Sequence, residues 1–285
     1  MRDDPEVQRA VSAYQLGLPK MPVAGRSGDL LGRGTGSSIE FQEYREYMPG
    51  DDIRHLDWSA YARSDSLMVR LYREEISPRT EILLDGSRSM SLGGEAKQQE
   101  ARRLTALFAL LSGHLGGRPD VVVVDDGRPL RSIHIDGLDA LDQLPFSATR
   151  SLADALGQRA VAFKKQAVRI VISDFLFPHD PQPLIRRLAA ESSVLWVVQI
   201  LHAWEADPTP MGGRRLVDVE TGGEADLVID RRAISAYKER LGQLQQELAR
   251  NCRRVGALFA TLVADRGLAT LCRDDLCKVG MLRPV

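Results

Sequence analysis

From residue 80 onward, short apolar runs alternate with helical segments, and no other feature constrains the fold as much. "TEILLD" (80–85), "AVRIVISD" (167–174), "SVLWVVQIL" (193–201) and "ALFATLVA" (257–264) each read as a strand buried on both faces. Between them, "GEAKQQEARRLTALFALLSGHLGG" (94–117) places Leu104, Leu107, Phe108, Leu111 and Leu115 on one helical face. "SLADALGQRAVAF" (151–163), "PQPLIRRLAAES" (181–192), "RRAISAYKERLGQLQQELARN" (231–251) and "GLATLCRDDL" (267–276) also read as helices, as does "LDALDQL" (138–144). "PDVVVVDDGRPLRSIHI" (119–135) reads as a hairpin turning at Asp126–Gly127. Strands alternating with helices predict an α/β fold: a doubly wound, mostly parallel sheet with an antiparallel edge hairpin. Residues 1–79 lack this rhythm. They carry the glycine-rich "GDLLGRGTGSS" and polar, aromatic segments. The expected organisation is a small β-containing N-terminal extension (1–79) packing on an α/β domain (80–285).

Two of these strands end in aspartate. In open α/β sheets, ligands bind beyond the carboxyl ends of the strands, so Asp85 and Asp174 are expected on one rim. "ILLDGSRSM" (82–90) adds Ser87 and Ser89 at alternate positions. In an extended chain successive side chains of that set would stand ~6.6 Å apart, too far for one ion. The chain must therefore curl after the strand, and Gly86 eases the bend. A curled loop of this kind offers one carboxylate and two hydroxyls, all oxygen donors, which suits a hard cation such as Mg2+. Asp174 could add a carboxylate, and Thr149, in "PFSATRSLADAL", a further hydroxyl.

The D-x-S-x-S loop with Thr149 and Asp174 resembles the metal-ion-dependent adhesion site of von Willebrand factor A domains, in order and in strand or loop context. The region "GTGSSIEFQEYREYMPGDDIRHLDWSAYARSDSLMVRLYREE" (34–75) is similar to the signature of the bacterial DUF58 family. That likeness continues through the metal-like loop to "DVETG" (218–222). The resemblance implies a von Willebrand A-like domain, a site made of Asp85, Ser87, Ser89, Thr149 and Asp174, and pairing with MoxR-type AAA+ ATPases. One departure stands out. Many relatives read Gly-Thr-Asp or similar in the second loop, whereas this chain reads Ala148-Thr149-Arg150, with a cation beside the expected ligand. On this reading Asp85 and Asp174 hold Mg2+ or Mn2+ directly or through water, and Ser87, Ser89 and Thr149 bind it directly. Two carboxylates balance one divalent cation, and a partner's carboxylate can take a coordination position held by water. The expected function is protein–protein docking or scaffolding without catalysis, with a MoxR-type ATPase or its client as partner.

Other chemistries fit less well. A haloacid-dehalogenase-like phosphatase needs a second aspartate where Ser87 stands, because a hydroxyl cannot serve as acid/base there. A serine hydrolase wants Gly-x-Ser-x-Gly and a histidine partner, and histidines 55, 114, 134, 179 and 202 form no recognisable set. "LLGRGTGSS" lacks the Gly-Lys-Ser/Thr ending of a phosphate-binding loop and reads as a turn. The alternative carried forward is a metal-dependent hydrolase of phosphoesters. A net charge of −1 leaves no electrostatic footprint for nucleic acid or an anionic membrane. Three cysteines make no disulfide framework and suit a reducing compartment. With no apolar run near the ~20 residues of a membrane span, the expectation is a cytoplasmic protein.

Overall fold

The computed structural model of the chain describes residues 1–19, 39–49, 51, 53–74, 79–126, 131–157, 163–219 and 222–285. They fall into two units, Pro19–Ser77 and a second made of Met1–Leu18 with Pro78–Val285.

The larger unit starts with α1 (Pro5–Ala13) and β1 (Tyr14–Leu16). Asp4 caps α1, its carboxylate accepting from the Glu6 and Val7 amides, and Pro5 fits the first turn. The smaller unit holds β2 (Ile39–Glu46), α2 (Trp58–Ser64) and β3 (Met68–Glu74). β2 and β3 pair antiparallel, with a register shift between Phe41 and Glu43. Asp57 caps α2 through the Ser59 and Ala60 amides, and Tyr44 Oη donates to its other oxygen at 2.8 Å. Arg45 pairs with Asp51 at 2.7 Å.

The larger unit resumes with β4 (Thr80–Asp85), α3 (Glu95–His114), β5 (Pro119–Val124), β6 (Arg131–His134), α4 (Leu152–Gly157), β7 (Ala167–Ser173), α5 (Pro181–Ala189) and β8 (Ser192–Leu201). It ends with α6 (Ala203–Ala206), β9 (Gly212–Val217), β10 (Glu224–Ile229), α7 (Arg231–Arg254), β11 (Leu258–Val263), α8 (Leu268–Thr270) and β12 (Leu282–Pro284). Six strands form the central sheet in the order β11-β8-β7-β4-β5-β6. All neighbours are parallel except β5 and β6, so the mixed α/β sheet with an antiparallel edge is present.

Alternation along each strand divides the core in two. Ile82, Leu84, Ile170, Ile172, Trp196 and Val198 face one layer with α1 and α3. Leu83, Val171, Leu195 and Val197 face the other, with Leu184, Ile185 and Leu188 of α5 and Leu248 of α7. At about 25 cal/mol per Å2 of apolar surface removed from water, two such layers supply the main stabilisation of the unit. The helix after β4 thus packs on one face and the helix after β7 on the opposite face. These strands are neighbours, so their following loops part between them and open the crevice that such sheets use for ligands.

Several expectations need correction. The units divide between Ser77 and Pro78, close to the expected boundary at 79, but the first 18 residues do not go with the smaller unit. Met1–Leu18 belongs to the α/β unit, because Val7, Ala10, Val11 and Leu16 complete its core and β1 pairs with β12. "LDALDQL" falls in 3-10 turns (Ile135–Gln143) kinked at Gly137, not in an α-helix. The final helix passes from α8 into a π-type turn, Leu271–Leu276. β9 and β10 form an antiparallel ribbon that periodicity did not reveal. Gly127 of the expected hairpin turn, part of the helix expected over 151–163, and "GDLLGRGTGSS" lie outside the described residues.

Candidate metal centre

β4 delivers Asp85 to the carboxyl rim with its side chain fully buried. Its Oδ1 accepts from the Ser87 amide at 3.0 Å, an Asx turn that supplies the curl the sequence demanded. Gly86 is there for close approach: a Cβ would stand 2.8 Å from the Val124 carbonyl oxygen. The Gly86 amide donates to that same oxygen, the Ala148 amide to Gly86 O, and the Arg88 amide to Ala148 O. The loop is thereby pinned between the end of β5 and the segment before α4. In this curl Ser87 Oγ and Ser89 Oγ lie 3.0 Å apart.

Asp174, also fully buried, comes from the end of β7. Phe175 follows with φ +55, a left-handed conformation that turns the chain sharply, and the Leu176 amide donates to Asp174 Oδ1 at 3.1 Å. Ser173 Oγ donates to Asp85 Oδ2 at 2.6 Å and so ties the two strand ends together. Lys97, on the first turn of α3, reaches in fully buried. Its Nζ donates to Asp174 Oδ2 (2.8 Å), to the Ser89 carbonyl (3.0 Å) and to both Glu205 oxygens (2.9 and 3.0 Å). One nitrogen thus holds Asp174 Oδ2 and Ser89 O within about 6 Å of each other. Asp85, Ser87, Ser89 and Asp174 are brought together as the sequence suggested.

Thr149 stands differently. Its segment adjoins the cluster through the Ser87–Ala148 bridge. Its Oγ1 and amide both donate to Asp126 Oδ2, at 3.1 and 2.9 Å, and the Arg150 amide donates to Oδ1. The Thr149 hydroxyl proton is committed to Asp126, the residue taken from sequence for a plain turn aspartate. These bonds hold the Asp126 carboxyl below the usual carboxylate range, led by the Thr149 amide.

Burial, then the neighbouring Asp174, pushes the Asp85 carboxyl up to about 6, against hydrogen bonds from Ser173 and Ser87. Burial likewise raises Glu205, opposed by Lys97. Two buried carboxylates, Asp174 and Glu205, hold the buried Lys97 ammonium, and Asp85 lies buried beside Asp174. Neighbouring ligands on an octahedron with bonds of ~2.1 Å stand about 3.0 Å apart, which is the separation of the two serine hydroxyls. The 3.0 Å contact is a hydrogen bond between the two hydroxyls, and it is on donor type, all oxygen, that the residues present fit a hard divalent ion. Among the described residues no group of three or more His, Cys, Asp or Glu is placed to hold a metal ion.

Sequence reasoning missed Lys97 and Glu205. Lys97 reads as one charge among many in "GEAKQQEARR", although it stands seven residues before Leu104 and so on the apolar face of the helix, which was the signal for it. Glu205 sits in "HAWEA", whose His202 and Glu205 make a capping box. The His202 amide donates to Glu205 Oε2 at 2.7 Å, His202 Nδ1 accepts from the Trp204 amide, and Nε2 lies 3.4 Å from Asp265. That box was the available signal.

Fold and cluster together define an open α/β sheet protein with a hydroxyl–carboxylate site at its switch point. The family described as "Protein of unknown function DUF58" matches residues 43–247, and the chain belongs to it. It is 25% identical over 276 residues to the uncharacterized protein Rv1480 of Mycobacterium tuberculosis, covering 93% of this chain and 87% of that one. It is 27% identical over 122 residues to the uncharacterized protein MAV169 of Mycobacterium avium, covering 43% and 72%. Among solved structures, an aerotolerance-related membrane protein from Bacteroides fragilis aligns with TM-score 0.35 and 13% identity, over 63% of this chain and 96% of that one. BatB from Bacteroides thetaiotaomicron aligns with TM-score 0.36 and 13% identity, over 65% and 90%. These scores are too low to carry fold or function across. Among the described residues no helix is long and apolar enough to cross a membrane.

Proposed function

We propose that this DUF58 protein is a non-catalytic docking module with a von Willebrand A-like site. Ser87 and Ser89 would ligate Mg2+ or Mn2+ directly, and Asp85 and Asp174 would hold it directly or through water. The bound ion supplies an electrophilic position that a partner's aspartate or glutamate can occupy. The observation that carries this reading is the buried serine pair, hydrogen-bonded at 3.0 Å, beside two buried aspartates delivered by adjoining strand ends.

The role of each residue follows from its bonds. Lys97 fixes Asp174 Oδ2, the Leu176 amide fixes Oδ1, and Ser173 fixes Asp85, so the oxygens are oriented before any ion arrives. The same bonds favour docking over hydrolysis. Lys97 and Glu205, the groups nearest in kind to an acid or base, are committed to each other. The partner implied by the family resemblance is a MoxR-type AAA+ ATPase or its client. We place it in the cytoplasm, on the sparse and odd cysteine count of the sequence.

The test is affinity capture from lysate with immobilised full-length protein in Mg2+ and in EDTA, alongside the Ser87→Ala/Ser89→Ala variant. A MoxR-type ATPase or its client should be retained only by the unaltered protein in Mg2+. Retention of the same proteins in EDTA, or metal-dependent phosphate release from a phosphoester by the purified protein, overturns the reading.

A further inference from the structure

The ends of α5 and α7 farthest from the cluster are basic. The two helices lead into β8 and β11, which are parallel neighbours, so both end at the strands' amino edge. Leu184, Ile185, Leu188, Leu248 and Cys252 seat them in one core layer. Glu247 of α7 lies within electrostatic reach of His179, which leads into α5. Seven positions on from each stand Arg254 and Arg186, so the last turns of the two packed helices lie level and side by side. These turns carry Arg186 and Arg187 on α5 and Arg253 and Arg254 on α7, with Arg250 a turn earlier. A cleft of about 400 Å3 over this end of α7 is lined by Gln246, Ala249, Arg250 and Arg253. Arg186, Arg250, Arg253 and Arg254 are exposed, and among the described residues none of the four is in an ion pair. The carboxylates here are Glu247 and, just past α5, Glu191, which Lys165 holds at 3.3 Å. Six cations thus stand against two carboxylates, in a chain of net charge −1.

Helix C-termini draw cations, because their last carbonyls carry partial negative charge. That effect falls off within the last turn, so it accounts for Arg253 and Arg254 but not for Arg250, nor for the amide of Gln246 in the same cleft. We propose that this arginine face docks an acidic segment of a partner protein, its carboxylates paired with Arg186, Arg250, Arg253 and Arg254. Charge complementarity selects the occupant, since guanidinium forks take carboxylates bidentately. Among the described residues, these helix ends expose no aromatic ring for a nucleic-acid base to stack on. Of their large apolar side chains only Val255 is exposed, too little to enter a membrane. A compact phosphate dianion favours a helix N-terminus over these carbonyl ends. The face lies at the opposite end of the strands from the serine–aspartate cluster and needs no metal, so it stands apart from the docking reading above.

The probe is fluorescein-labelled octaglutamate, with octaglutamine as its uncharged control, followed by anisotropy against full-length protein in EDTA. Octaglutamate should bind and octaglutamine should not, and binding should weaken between about 50 and 300 mM salt as screening tightens. Arg250→Gln/Arg253→Gln/Arg254→Gln should weaken octaglutamate about tenfold, the combined worth of several exposed ion pairs. Arg231→Gln/Arg232→Gln, which removes the same kind of charge from the other end of α7, should change it about twofold or less. Circular dichroism melts check that both variants fold, and Arg250→Glu alone should weaken binding in the same direction. Absence of octaglutamate binding, equal binding of octaglutamine, or equal losses in the two Arg→Gln variants overturns the proposal. Oligothymidylate, or phosphatidylcholine vesicles with about 30% phosphatidylglycerol, binding through these arginines where octaglutamate does not would assign the face to nucleic acid or lipid and overturn it as well.

Discussion

Lys97 sits with no solvent exposure among three acceptor groups, and its ammonium replaces water with Asp174, Glu205 and the Ser89 carbonyl. Burying an ion pair gains little over an apolar pair of the same shape, but removing one partner strands the others. Lys97→Met is expected to lower stability by about 3–5 kcal/mol in urea unfolding of the metal-free protein. Adding Glu205→Gln should recover part of that loss, because the two residues share one network and their effects do not add. Strict additivity would show that Lys97 acts through packing and not through charge. At this scale the sequence located Asp85, Ser87, Ser89 and Asp174, since a strand's end and a short spacing are readable features. It did not pair Lys97 or Glu205, 77 and 31 positions from Asp174, with the cluster: the period puts Lys97 on the apolar face, but which distant carboxylates it meets there is set by tertiary packing.

β4 and β7 lie side by side while the helices that follow them go to opposite faces of the sheet. The two loops therefore diverge, and the oxygen cluster occupies the gap between them. β4, β7 and β8 were readable because each holds an unbroken apolar run, Ile82–Leu84, Ile170–Ile172 and Val194–Val198, as burial on both faces requires. Their partner order was not readable, because a buried parallel strand pairs equally well with several neighbours. The β9–β10 ribbon escaped notice for the opposite reason: all of β9 and most of β10 are exposed, so no burial pattern marks them. The Gly93 contact makes a prediction about how elements meet. Gly93→Ala forces a side chain into the His202 ring at positive φ, and should cost about 1–3 kcal/mol. It should also weaken Mg2+ binding in calorimetric titration, by disturbing the His202–Glu205 segment that holds Lys97. Wild-type stability together with wild-type Mg2+ affinity would refute that account of the loop contact.

The α/β unit is discontinuous in sequence, with Met1–Leu18 completing a core whose other residues begin after the smaller unit. A chain in which residues 19–77 are replaced by a flexible linker of about 15 residues is expected to fold cooperatively and keep Mg2+ affinity, because every cluster residue lies in the larger unit. Circular dichroism melts and the same titration check this, and a molten product would show that the larger unit depends on residues 19–77. Omitting Met1–Leu18 as well should be far more damaging, since Val7, Val11 and Leu16 would leave their core positions empty. The sequence by itself determined the local states: which runs must be buried strands, which helices pack by one face, and which loop must curl. Those outcomes depend on period, spacing and backbone sterics, which act between near neighbours. Only the tertiary structure decided that β4 lies beside β7, that α1 belongs to the core, that the Thr149 hydroxyl turns to Asp126, and that Lys97 faces the cluster. Each joins residues far apart in the chain, and packing across the whole sheet, not local propensity, selects among the arrangements that local rules allow.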